Sequence, residues 1–486
     1  MPPTYGVAND SRASEEATGV PTPYTPLLGT NIEAAAHRQL KSEGIAGISS
    51  SVGNLCNTIL GTGILAFPLA MASSGLIPGI ITCIFSGSVA GFGLYLLSRC
   101  ASQTPHRRSS FFAVAQLTYP SLAVFFDAAV AIKCFGVSTS YLIIIKGLMP
   151  SVVGSLHYVL NPSSEIPWWT NSGRFWITIF MAILVPLCFL RHLDSFRHTS
   201  YVALFSVAYV VIIVVVCHFD PPKGSTEPGE WHLVHFTPSF ISTFPVQVFA
   251  FTCAQNLFPI YNELASNTQS RMNLVIGASL GTTTLTYEIV SIFGYITFGS
   301  NVGPNIIAMY PSTTLFIALG QFAIVLLVLF SYPLQVHPCR ICLDKILPFK
   351  GYTLSSKSAE SCDAENEETE EEEENLSAHG AVHELTPLRH TILTYLIVVP
   401  GFLVAYFVDD LQLVLSFVGS TGSTAISFIL PGLFYYKLFG DQPGHSKAMK
   451  WASAALALYG VLIFIFCLTF NIWKVLQPIK DIGQLL

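Results

Sequence analysis

The chain has 486 residues, 51% hydrophobic and 11% charged, with a mean hydropathy of +0.56 and a formal net charge of −6. Soluble domains carry about 25% charged residues, so this composition excludes a soluble globular protein and indicates one that crosses a membrane many times. The negative charge is local: residues 360–374 hold ten acids and no base, which leaves +4 for the remainder.

Residues 1–44 are polar and read as a disordered cytosolic tail. The first 45 residues contain no apolar core of signal-peptide type, so no cleavage is expected there. Eleven apolar segments follow, each near the ~20 residues that span a bilayer core: 46–70, 75–99, 121–147, 174–190, 199–217, 239–260, 274–298, 313–337, 391–408, 411–436 and 451–473. They define a transmembrane domain over 45–473, with a 351–385 acidic cytosolic loop between spans 8 and 9 and a short lumenal tail over 474–486. Of the 23 Lys and Arg, 17 fall on one side of this arrangement, and four (Arg174, Lys223, Lys474, Lys480) on the other. The bias puts the N-terminus in the cytosol, and eleven spans then put the C-terminus in a lumen or outside.

The acidic run reads as a solvated loop, with a docking surface for a cytosolic regulator as the sharper alternative. Most of the eleven cysteines lie within spans, where Cys serves as a small apolar filler. Cys339 and Cys342 form a CxxC without a second cysteine pair, so zinc is not expected. The sequons at Asn9 and Asn375 fall on the cytosolic side and should stay unmodified.

Span 1 breaks a rule of membrane helices. Lipid offers backbone groups no hydrogen-bond partner, so a span should be an unbroken helix. This one carries Gly61-Thr62-Gly63 near its middle and Pro68 just beyond. Freed backbone groups are tolerated at that depth where protein or a polar cavity receives them. Transporters often consist of two inverted repeats, each opening on a broken helix, with the substrate between the breaks. If spans 1–5 form one repeat, span 6 is the partner of span 1. Span 6 has Pro245 and Pro259 on either side of a polar patch from Thr252 to Asn256. Two ordinary proline kinks are the simpler alternative.

The chemistry of such a pair is direct. The N-terminal end of a half-helix carries partial positive charge and unpaired N–H groups. Amides around Gly61, Thr62, Gly63 and Ile64 would hold a substrate carboxylate, and glycine removes the Cβ that would block close approach. Carbonyls around Phe249, Ala250, Phe251 and Thr252 would receive an ammonium group. A carboxylate site facing a carbonyl cluster describes an α-amino acid.

Several stretches carry a resemblance: NTILGTGILAFPLAMASSGLIPG in span 1, KCFGVSTSYL in span 3, FAFTCAQNLFPIYNEL in span 6, FGYITFGSNV in span 7 and FSYPLQVHPCR in span 8. In this order they resemble the amino acid/auxin permease family, and within it the fungal vacuolar amino-acid transporters, over roughly residues 45–475. The resemblance implies an all-α polytopic protein of eleven transmembrane helices. Ten of them would form a LeuT-type 5+5 inverted repeat, with broken helices 1 and 6, and helix 11 would be an addition. It also implies secondary active transport of amino acids across the vacuolar membrane, coupled to protons or, in some branches, to sodium, and directed to the cytosol. One departure concerns coupling. Many relatives carry a His after the Cys of the span-6 motif, and this chain has Ala254.

Ionisable groups inside spans are costly and carry functional hypotheses. Lys133 lies roughly 18 Å into span 3 and Glu288 roughly 21 Å into span 7 at 1.5 Å per residue, both in the middle third of the core. We expect at least one to take part in proton coupling, against the alternative of a static Lys133–Glu288 pair. Asp127, nearer the cytosolic end, should face water or a polar neighbour. A sodium site in this fold would use span-1 carbonyls, Asn57 and a span-8 hydroxyl, for which Ser331 is the candidate, so sodium is the runner-up ion. No other cofactor is expected. Close helix packing for alternating access would use Gly87, Ala90 and Gly91 in span 2 and Gly419, Gly422 and Ser423 in span 10.

The competing classes are an amino-acid-sensing transceptor that signals through its tail or acidic loop, and a membrane enzyme. The enzyme reading has little support: there is no HExxH, and His192 and His198 beside Asp194 read as surface charge. The expected partners are a small amino acid and the bilayer, with no nucleic acid.

Overall fold

The computed structural model describes residue 44 and residues 46–105, 107–160, 167–189, 199–222, 224, 227–311, 314–347, 386–440, 442 and 446–476. The tail before residue 44, the acidic run 360–374, the sequons, His192, Asp194, His198 and residues 477–486 lie outside them. Described secondary structure is helical apart from one parallel bridge between Ala46 and Leu264.

Span 1 forms α1 (Ile48–Ile59), a 3-10 turn (Thr62–Ala66) and α2 (Phe67–Ala72), and span 2 forms α3 (Leu76–Ala101). A short helix, α4 (Phe111–Thr118), precedes α5 (Ala123–Leu160), which is span 3. Spans 4 and 5 are α6 (Gly173–Cys188) and α7 (Thr199–Phe219). Span 6 is divided into α8 (Phe240–Ala250) and α9 (Ala254–Glu263). Span 7 is α10 (Gln269–Phe298), followed by the one-turn α11 (Ile306–Met309) and by span 8, α12 (Leu315–Ile346). Spans 9 to 11 are α13 (Pro387–Phe407), the composite α14 (Leu411–Val418) to α15 (Leu430–Phe439), and α16 (Lys447–Leu476).

Seven of these helices are long and apolar enough to cross a membrane, or eight when α1 is counted together with the helical segment after its break. The other three of the eleven expected segments are helical but fall short of that standard for local reasons. Residues 174–190 give a 16-residue helix, and 239–260 are cut into pieces of 11 and 10 residues. Residues 274–298 lie on a 30-residue helix diluted by glycines, hydroxyls and Glu288.

The helices pack in two groups. In one, α10 lies against α1, α2 and α3, while α9 packs on α1 and α8 on α2. The first half of one broken span thus lies beside the second half of the other, so the two run antiparallel. Backbone bonds fasten both ends of the pair. Ala46 N–H donates to the Glu263 carbonyl at 3.0 Å, and the Ala46 carbonyl accepts from Ala265 N–H at 2.9 Å. At the far end Leu76 and Ile77 N–H donate to His232 and Leu233 carbonyls, while His235 and Thr237 N–H donate to Ser74 and Ser73. In the second group the long α5 and α12 pack along each other, with α6, α7 and α13 around them. The α14–α15 span lies between the groups, touching α8 and α5.

Charged groups within spans outside the centre are structural. Lys146 Nζ donates to the Ala405 and Val408 carbonyls at 2.5 and 2.8 Å and pairs with Asp409 at 2.7 Å, capping the C-terminal end of α13. Arg340 donates to the Cys188 carbonyl and Thr394 hydroxyl, both at 3.0 Å. Asp127 faces Lys345 at 3.9 Å, the polar neighbour expected for it. The ten described cysteines are buried and unbridged, and Cys339 of the CxxC points its thiol at the Ala131 carbonyl of α5.

Candidate substrate site at two helix breaks

The break in span 1 is a tight turn. Leu60 has φ −71° and ψ 73°, the geometry of an inverse γ-turn, and Gly61 N–H donates to the Ile59 carbonyl at 2.7 Å. The chain then re-enters a helical path bent by 46° from α1. Thr62 and Gly63 head this second segment, so their amides have no preceding turn to donate to. Pro68 sits in the first turn of α2, where a missing N–H costs nothing.

The break in span 6 falls midway between its two prolines, at Phe251 to Cys253. Phe251 N–H still donates to Gln247 at 3.2 Å, and Thr252 N–H donates to Phe249 at 3.0 Å. Cys253 then leaves helical geometry with φ −137°. The Val248 and Ala250 carbonyls in the last turn of α8 are thereby released from the helical ladder. Both are taken by side chains: Thr252 Oγ1 donates to Val248 at 2.7 Å, and the Tyr287 hydroxyl lies 3.1 Å from Ala250.

The two breaks meet. A Cβ on Gly63 would stand 2.5 Å from the Ala250 Cβ and 2.8 Å from its Cα, so the backbones come together there as only glycine allows. The close approach is to the other break. Around the contact Phe67 stacks on Tyr287 at 4.4 Å, and Phe251 meets Tyr287 edge-on at 5.1 Å. Ile64, Phe249, Ala250, Phe251 and Thr252 are all buried. Thr62 is 2% exposed, and its hydroxyl has no hydrogen-bond partner among the described residues. Asn57 lies one turn before the break, on half-buried ground.

Three further elements close round the breaks. Span 10 widens into π-helical turns at Gly419–Ser423 and Ala425–Ile429, a geometry that recurs at functional sites. Its Gly419 abuts the Pro245 backbone of α8, and Gly422 abuts Ala129 and Lys133 of α5. Ser427 Oγ donates to Thr252 Oγ1 at 3.3 Å, while the buried Ser423 hydroxyl is unpartnered among the described residues. Lys133, 3% exposed, lies within electrostatic reach of Cys253 at the span-6 break.

Two expected residues lie elsewhere. Glu288 follows Tyr287 in sequence but lines a groove of about 610 Å³ between α3 and α10 that Gly277, Gly281 and Leu285 also line. Neither carboxylate oxygen has a hydrogen-bond partner among the described residues, and the Cys83 thiol lies beside it. Among the described residues Lys133 and Glu288 form no ion pair, so the static pair weighed from the sequence is absent. Ser331 is half-buried on α12, whose main neighbours are α5 and α7.

The sequence reading missed Tyr287 and Gln247. Tyr287 is fully buried, and its hydroxyl also reaches the Ile59 carbonyl at 2.5 Å, touching both breaks. Gln247 bridges Ser86 and Thr82 of α3 at 3.3 Å each, which fixes α8 just before its break. A Tyr adjacent to an intramembrane Glu was the available signal for the first.

Comparison with known proteins covers nearly the same residues. A family described as transmembrane amino acid transporter protein matches residues 45–477. Vacuolar amino acid transporter 5 of Schizosaccharomyces pombe is 41% identical over 443 residues, covering 89% of this chain and 96% of that protein. Vacuolar amino acid transporter 6 of Saccharomyces cerevisiae is 36% identical over 450 residues, covering 87% and 98%. Vacuolar amino acid transporter 5 of the same yeast is 34% identical over 455 residues, covering 87% and 97%.

Proposed function

Since this chain belongs to the transmembrane amino acid transporter protein family, and is a transporter rather than an enzyme, we propose that it carries α-amino acids across the vacuolar membrane, driven by protons and directed to the cytosol. The observation that carries the substrate class is the meeting of the breaks. Helix-start amides at Thr62 and Gly63 stand against a span-6 backbone in which the Val248 and Ala250 carbonyls are outside the helical ladder. Amides suit the substrate carboxylate and carbonyls its ammonium. The antiparallel course of the two broken spans supports a LeuT-type 5+5 inverted repeat of ten helices plus helix 11. The distribution of Lys and Arg supports a cytosolic N-terminus and a lumenal C-terminus.

For coupling, Lys133 is the stronger candidate of the two ionisable groups. It is buried where spans 3, 6 and 10 converge, so a change in its protonation acts directly on the break. Glu288 lines the α3–α10 groove, about 100° round α10 from Tyr287. A sodium-driven cycle is the alternative, with Asn57, Ser331 and span-1 carbonyls as ligands. The acidic loop remains our candidate docking site for a cytosolic regulator, and signalling through it is the transceptor alternative.

Purified protein in liposomes, tested against a panel of amino acids with and without a pH gradient, examines this directly. Uptake of at least one α-amino acid that rises with the gradient, and is unchanged when choline replaces sodium, is the expected result. Gradient-independent uptake would remove proton coupling, and loss of uptake in choline would install sodium.

A further inference from the structure

The Tyr287 hydroxyl lies within hydrogen-bond distance of two carbonyls, Ile59 at 2.5 Å from span 1 and Ala250 at 3.1 Å from span 6. Neither bond belongs to the helix that Tyr287 sits in. Two aromatic neighbours hold the ring in place. Phe67 stacks on one face at 4.4 Å, and Phe251 presses its edge at 5.1 Å. The side chain is fully buried. One phenolic proton thus serves two acceptors, and Ile59 already accepts from Gly61 N–H at 2.7 Å. The arrangement satisfies the released Ala250 carbonyl when nothing else does.

We propose that Tyr287 is an internal competitor for the substrate ammonium, a latch that occupies the break carbonyls in the empty carrier and must give up Ala250 when an amino acid binds. This rests on the amino-acid reading above and adds to it a residue that sets affinity for the α-amino group. An ammonium group brings three donors, enough to take Ala250 and leave the phenol on Ile59. A ligand with no donor at that position cannot displace the hydroxyl without leaving a buried carbonyl unpaired, which is disfavoured. The latch therefore sets the affinity for the α-amino group through the cost of its own displacement, and Phe67 and Phe251 keep the ring from following the ligand.

The test is Tyr287→Phe in proteoliposomes, which keeps the ring stack and removes only the O–H. The probes are L-leucine and L-lysine, each beside the same skeleton lacking the α-amino group, 4-methylpentanoate and 6-aminohexanoate, in competition binding. Without the competing hydrogen bond, the amino acid that wild type accepts should bind about 2- to 10-fold more tightly, with competition by its deaminated partner unchanged. A purely structural tyrosine would give weaker or equal binding, and a change in pocket shape would improve both partners alike. Either result overturns the latch. Phe67→Leu, which frees the ring without touching its hydroxyl, should move affinity in the same direction if Tyr287→Phe does not fold, and weaker or unaltered binding there also overturns it. Binding in wild type with no gain in the variants sinks the latch alone. Absence of amino-acid binding in wild type sinks the transport reading, and the latch with it.

Discussion

Gly63→Ala probes the contact on which the substrate reading depends. The added Cβ would lie 2.5 Å from the Ala250 Cβ and 2.8 Å from its Cα, well inside van der Waals contact, and the second of these is backbone that cannot turn aside. Overpacking of this kind costs about 1–3 kcal/mol. The break must open by about 1 Å to reach ordinary van der Waals contact, so the cost falls on the geometry that aligns the Thr62 and Gly63 amides with the span-6 carbonyls. Taken entirely from substrate affinity, it corresponds to a loss of roughly 5- to 150-fold. Concentration-dependent uptake in liposomes measures it, with thermal unfolding in detergent as the control for folding. The exchange Gly63→Ala with Ala250→Gly moves the methyl across the contact and removes the Cβ–Cβ overlap but not the overlap with the Cα. It should recover part of the loss, and a double-mutant cycle should report a coupling term. Wild-type affinity in Gly63→Ala, or strict additivity of the two changes, would refute the claim that the breaks form one site.

Three further outcomes are expected. Lys133→Met should abolish the response of uptake to a pH gradient, whereas Glu288→Gln, facing the α3–α10 groove, should keep it within about twofold; the reverse pattern moves coupling to Glu288. Lys146→Met strips donors from two carbonyls at the end of α13 and should cost about 2–5 kcal/mol of stability. Its ion-pair partner Asp409 has a side chain 77% exposed, so Asp409→Asn should cost no more than about 1 kcal/mol; equal shifts in unfolding midpoint for the two would contradict the capping role.

The legible parts of this chain were those governed by local rules. Gly61-Thr62-Gly63 announced a break because glycines sit poorly in a helix interior, and the break stands where they are. Span 6 was harder. Its prolines flagged a disturbance, but both lie inside helices, and the chain opens between them at Phe251–Cys253. The role of Gly63 was read as clearance for a ligand, and the structure gives it to Ala250, a partner 187 positions away in sequence. Tyr287 and Glu288 expose the limit most clearly. Adjacent residues on a helix point about 100° apart, so one meets both breaks and the other a groove, and one sequence does not say which. The charge at Glu288 drew attention to depth, whereas function at the breaks depends on azimuth. Gly419, Gly422 and Ser423 were visible as small packing residues, but the π-helical winding there comes with contacts to α8 and α5 that no local pattern encodes.

Those contacts also bear on how a transport cycle would open the site. Spans 1 and 6 are bound to each other along their whole length: Ala46 to Glu263 and Ala265 at one end, Gly63 on Ala250 at the centre, and Ser73–Ile77 to the His232–Thr237 segment at the other. Tyr287 ties both to α10. A seam through these bonds would break many at once, so in such a cycle the two broken helices would move together with span 7. The alternative seam follows span 10, where Gly419 meets Pro245 and Gly422 meets Lys133 through close van der Waals contact, and two side-chain bonds, Gln412 to Ser242 at 3.2 Å and Ser427 to Thr252 at 3.3 Å, cross to span 6. There the helix is already wound wide, and the Gly419 carbonyl is served by Thr424 Oγ1 at 2.6 Å. The same carbonyl accepts from Thr424 N–H, so rewinding a π turn to α pitch would exchange one backbone bond for another, and this boundary would shift at lower cost. Lys133 stands on it, and under the proton-driven reading proposed above a proton gained or lost there would change the charge on this boundary.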